Sequence, residues 1–187
     1  MNSAQSIEST ARVVGAGVTK PDVARSVAAG VIAGQIAGLA MAAFMMAVFT
    51  VFLGKTPFYP VQVIGSLVFG DAALNGFNLP ALFAGLILHQ LGPSVFWGCA
   101  FGLVSNALGS PRGSLLVGLA LGTGVLSQIV DVNIVLPFAF RVLHGHDIWA
   151  EQVPAFWSWA SHVVFGLGLT TFPIVSDLLL TPPTSGR

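Results

Sequence analysis

From Val27 to Leu53 the chain carries no charged residue. That run is longer than the roughly 7–15-residue apolar core of a secretion signal. It reaches the ~20 residues a helix needs to cross the hydrocarbon layer. Three more apolar stretches follow, over about 80–108, 114–140 and 154–175, and the third holds one charge, Asp131. Pro80 and Pro154 stand where helices begin, the position at which a missing N–H costs nothing. Pro111 and the Pro182-Pro183 pair fall just past the second and fourth ends. The pattern predicts an all-α membrane protein, a four-transmembrane-helix bundle over 27–176. Residues 1–26 and 177–187 read as polar tails, the first of them mobile.

The two loops on the far side from the tails differ. Residues 54–79 contain an apolar piece, Val61 to Phe69, between Pro60 and Asp71. It is too short to span, so a short interfacial or re-entrant helix is expected in this first outer loop. The second outer loop, 141–153, borders Trp149, Trp157 and Trp159, an aromatic cluster of the kind found at a membrane boundary. With four spans, Arg12, Lys20, Arg25, Arg112 and Arg187 share one side, against Lys55 and Arg141 on the other. The positive-inside rule then puts both termini in the cytoplasm.

The halves of the chain repeat weakly. Leu79-Pro80-Ala81-Leu82-Phe83 matches Val153-Pro154-Ala155-Phe156-Trp157, and each is followed by a histidine, His89 or His162, and then by glycines. Two tandem helical hairpins of the same topology fit this pattern. Gly30, Gly34 and Gly38 on the first helix, and Gly118 and Gly122 on the third, recur at four-residue spacing and put a small groove on one helix face. Such grooves let backbones approach closely, within the bundle or against another subunit.

Composition narrows the function classes. The chain is 55% hydrophobic and 7% charged, where soluble proteins average about 25% charged; its mean hydropathy is +0.86. Seven basic and seven acidic residues cancel, so no global field recruits nucleic acid. The single cysteine, Cys99, excludes an intrachain disulfide and a multi-cysteine zinc site, and reads as a small buried apolar residue. No nucleophile motif, phosphate-cradling loop or zincin pattern is present, so an enzyme is not expected.

Ionisable groups inside apolar spans are costly and point to function by default. At 1.5 Å per residue, His89 and His162 lie about 12–13 Å below the starts of their helices, and Asp131 about as far below Phe140. Phe44 and Met45 fall at the same depth on the first helix, and Gln90 and Gln128 flank the layer. Pro137 breaks the third helix locally and frees the carbonyl of Asn133. Three uses remain open for this polar layer. His89 and His162 are candidate axial ligands of a haem b. Asp131 with a histidine is a candidate proton or metal relay. A purely structural hydrogen bond from Asp131 to His162 or His89 is the third. In the second outer loop, His144, His146, Asp147 and Glu151 are candidate ligands for a divalent metal.

The run Gly34-Gln35-Ile36-Ala37-Gly38-Leu39-Ala40-Met41, the Phe44-Met45 pair, and the Phe101-Gly102 and Phe165-Gly166 pairs after the two histidines resemble small bacterial four-helix inner-membrane proteins of the uncharacterised YagU-like kind. The resemblance implies a bacterial inner membrane and brings no assigned activity. The long first outer loop and the Asp131 helix depart from it. The expectation from the whole sequence is a non-catalytic accessory or assembly subunit, contacting lipid and other membrane subunits or itself. A haem-binding electron-transfer protein and a small proton- or metal-coupled transporter are the alternatives.

Overall fold

A computed structural model describes residues 22–180 of the chain. The expected tail and the prolines at 182 and 183 lie largely outside these residues. Four helices are long and apolar enough to cross a bilayer: Val23–Val51, Leu79–Ala107, Gly113–His144 and Ala155–Leu179. The chain is a multi-pass membrane protein. Asp22 caps the first span by accepting from the Ala24 N–H, and Asn78 caps the second by accepting from that of Ala81. These are the orphan donors that a helix start leaves unpaired. Gly145 ends the third span in the left-handed conformation, at φ 83. The fourth span bends at Thr170-Thr171 and continues as Phe172–Leu180, further than its apolar run alone indicated.

The first span is the centre of the bundle. The second packs on one flank of it and the fourth on another, while the third packs on the fourth. Each hairpin closes on glycine. A side chain at Gly30 would collide with the backbone of Gly98 and Gly102, and one at Gly34 with that of Ser94 and Gly98. In the second hairpin, Gly124 lies against the backbone of His162 and Gly166. The expected glycine face on the first helix is therefore consumed inside the chain. On the third helix the spaced glycines do not pack within the chain. Gly118 and Gly122 have nothing within 4 Å of an added Cβ, and the packing glycine is Gly124, on a different face.

The expected short helix is Tyr59–Phe69, and it is packed against the membrane-spanning bundle. Gly65 and Gly85 let it approach the distal half of the second span, with backbone against backbone. It buries Val61 and Val63 and joins a distal core of Met45, Val48, Phe49, Phe140, Ile148 and Trp149. Trp149 is thus a core residue and no part of a belt, whereas Trp159 is exposed. A second core, nearer the termini, gathers Ala33, Ala37, Trp97, Phe101, Phe165 and Leu169.

Tandem hairpins would pair first with fourth and second with third in the same way. The first and fourth meet closely, with Gly168 against Ala37. The second and third scarcely touch, and a cavity lies between them.

Candidate functional site

Both walls of this cavity are wound abnormally. The second span widens to a π-helical turn over Gln90–Ser94, and the third over Gln128–Val135. The cause in the second span is Pro93, which has no N–H for the carbonyl four residues back. That carbonyl belongs to His89, and the Ser94 hydroxyl lies 3.0 Å from it and 2.9 Å from Gln90 Oε1. The Gln90 carbonyl accepts from Gln35 Nε2 at 2.8 Å. Gln35 therefore has a structural task inside an uncharged span: it ties the first span to the wide turn of the second. In the third span the distortion expected at Pro137 takes the form of the wide turn just before it. Such turns shift the side-chain register by a residue and recur at functional sites.

The cavity has a volume of about 810 Å³ and is lined almost wholly by apolar side chains. Within it stand Asp131, His89 and His162. Asp131 Oδ2 accepts from Trp97 Nε1 at 2.7 Å. The expected pairing of Asp131 with a histidine is thus replaced by an indole, because the wide turn aims the carboxylate across the gap at the second span. His162 donates through Nδ1 to the Ser158 carbonyl at 2.9 Å. A carbonyl only accepts, so the proton is on Nδ1 and Nε2 is left as an acceptor. His89 Nδ1 and Trp149 Nε1 are buried, have no hydrogen-bond partner, and belong to cavity-lining residues. Exposed Leu91, Phe96 and Val135 form part of the lining, so the mouth opens sideways, part-way along the two spans.

The predicted polar layer is thereby divided. His89, His162 and Asp131 share the cavity. Gln128 is buried and accepts from the Ser158 hydroxyl at 3.0 Å, tying the third span to the fourth. Gln90 turns toward Ser94 and the first span. Met45 belongs to the distal core, and Met41, one turn earlier, lines the cavity instead. Trp97, Gln35, Ser94 and Ser158 were not part of the predicted layer. The visible signals for them were a proline and an indole in mid-span and a lone glutamine in a charge-free run.

The two histidines meet one requirement of haem ligation, and His162 has the right tautomer for it. The cavity lining, however, contains the acid Asp131 and, among the described residues, no lysine or arginine. Haem propionates would find a like charge and no cation, so the residues do not fit that group.

The metal site expected in the second outer loop is not assembled. No group of three or more potential ligands occurs among the described residues. His144 Nε2 donates to the Leu67 carbonyl at 3.1 Å, and Asp147 accepts from the Ala150 N–H as a helix cap. His146 instead fastens the two outer loops, with Nδ1 2.8 Å from Glu151 Oε1 and Nε2 3.4 Å from Asp71 Oδ2.

The bond to Glu151 raises the His146 pKa above its ordinary value, with Asp71 adding to the effect. When the folded pKa is the higher one, the stabilisation is complete below the unfolded value of about 6.5 and is lost as pH rises through the folded value. Thermal unfolding in detergent should therefore show a melting temperature that falls as pH rises above about 6.5, and His146→Gln should flatten this slope. An unchanged slope in the variant would show that the loop clasp contributes nothing.

Comparison with protein-family models, with curated proteins and with solved structures finds no match for this chain.

Proposed function

We propose that this protein binds a lipid-soluble small molecule within the bilayer, in the cavity between its second and third spans. One observation carries the reading: a cavity of about 810 Å³, apolar over most of its lining, with Asp131, His89 and His162 gathered inside it. Its size lies within the roughly 300–1,000 Å³ of small-molecule sites, and a few polar groups on an apolar wall are the usual pattern of such sites. The reading makes the protein a binder or carrier and involves no reaction. Protein extracted from membranes directly into lipid nanodiscs should hold one discrete lipid-soluble species, released by organic solvent and seen by native mass spectrometry. Recovery of bulk lipids alone, in their membrane proportions, would contradict it.

A second reading, an accessory subunit of a larger membrane assembly, is favoured by Gly118 and Gly122. These glycines face outward with open space around them, which suits a neighbouring helix. Gly118→Leu should then release a co-purifying partner or a second copy; an unchanged assembly size would count against it. We further propose a bacterial inner membrane, on the resemblance to YagU-like proteins alone, and cytoplasmic termini, on the five-to-two distribution of basic residues. A reporter active only in the periplasm should be silent when fused after Arg187, and activity there would reverse the orientation.

A further inference from the structure

We infer that the ligand is a lipophilic organic cation, with Asp131 as its counter-charge; this rests on the cavity reading above. Among the described residues, Asp131 is the only acid in the lining, and no lysine or arginine accompanies it. The carboxylate accepts one hydrogen bond, from Trp97 Nε1, where its two oxygens have about four acceptor positions. Acids at membrane depth pair with a cation, line a pathway or serve as ligand counter-ions. This one has no cationic partner in the cavity among the described residues, and a ligand can supply one.

The walls suit such a guest. Phe96, Trp97, Trp149 and Phe165 bring aromatic rings to the cavity. Ring faces attract cations, most strongly where water is excluded. His162 is held by Ser158 so that its Nε2 is an acceptor, which favours a guest that carries N–H donors as well as charge. Most of the remaining lining is aliphatic, Leu88, Leu91, Val130 and Val135 among it, and suits an apolar body. A neutral guest would leave the carboxylate unmatched, whereas a cation satisfies both the charge and the apolar walls.

The test compares two probes of similar shape, the tetraphenylphosphonium cation and neutral triphenylphosphine oxide. Each is titrated into the purified protein in nanodiscs, with binding to empty nanodiscs subtracted. Wild-type protein should bind the cation roughly tenfold or more tightly than the oxide, the scale of one hydrogen bond or contact to a charged group. Asp131→Asn should abolish that preference while the oxide still binds, and Asp131→Glu should retain it. Circular dichroism reports whether each variant is folded. The wild-type ratio decides the matter even if Asp131→Asn does not fold. Equal binding of both probes by the wild type would overturn the cation assignment and leave the cavity reading intact. Failure of both probes to bind would overturn the two together.

Discussion

Gly98→Leu should take apart the half of the bundle nearest the termini. An added Cβ at Gly98 meets the Gly30 carbonyl carbon and Val31 Cα, each at 3.1 Å. These are backbone atoms of a helix that is itself locked between two neighbours, so they cannot move aside as a flexible side chain would. Overpacking of this kind costs about 3 kcal/mol or more, a large share of the roughly 5–15 kcal/mol that holds a domain together. The expected result is loss of the monodisperse species in detergent and a melting temperature too low to measure. Gly118→Leu, one helix away in open space, should not lower the stability of the single chain. Equal behaviour of the two variants would mean that the first and second spans do not cross at Gly30 and Gly98.

Gly92→Phe should empty the site and spare the fold. Gly92 lies in the wide turn of the second span and lines the cavity, and an added Cβ there meets nothing within 4 Å. Replacing a helical glycine also favours the helix, by up to about 1 kcal/mol. The ring would occupy space that the proposed ligand needs. Native mass spectrometry should show the bound species reduced roughly tenfold or more, the loss expected when a contact worth about 1.4 kcal/mol or more is removed. The melting temperature should not fall. Wild-type occupancy in this variant would put the ligand somewhere else.

The spans were readable because each is a predominantly apolar run of bilayer length, and the physics behind that reading is local. His89, His162 and Asp131 could be picked out for the same reason, since an ionisable group inside such a run needs an explanation. Partners were a different matter. Gly118 and Gly122 have the same spacing as Gly34 and Gly38, yet only the latter kind faces another helix; spacing selects a face and says nothing about what covers it. The His144 contact with Leu67 joins residues 77 apart in sequence, and no local pattern encodes it. The pairing of Asp131 with Trp97 depends on the wide turn in the third span. Pro93 and Pro137 mark where such turns arise, but a proline does not announce the direction in which the next side chains are turned. Gln35 was hidden by its setting: its partner is a backbone carbonyl on another helix, 55 residues away in sequence.

The central claim is that the gap between the second and third spans admits molecules from the bilayer. Photolabelling with a small lipid-soluble diazirine, followed by mapping of the labelled residues, tests it most directly. The account predicts dense labelling at the cavity residues Leu91, Phe96, Val130 and Val135, reduced when a bound ligand competes. Ile32, Ile36 and Leu126, exposed on the outer surface of the bundle, should take up label that no ligand displaces. Uniform labelling of both sets, with no competition at either, would contradict the claim.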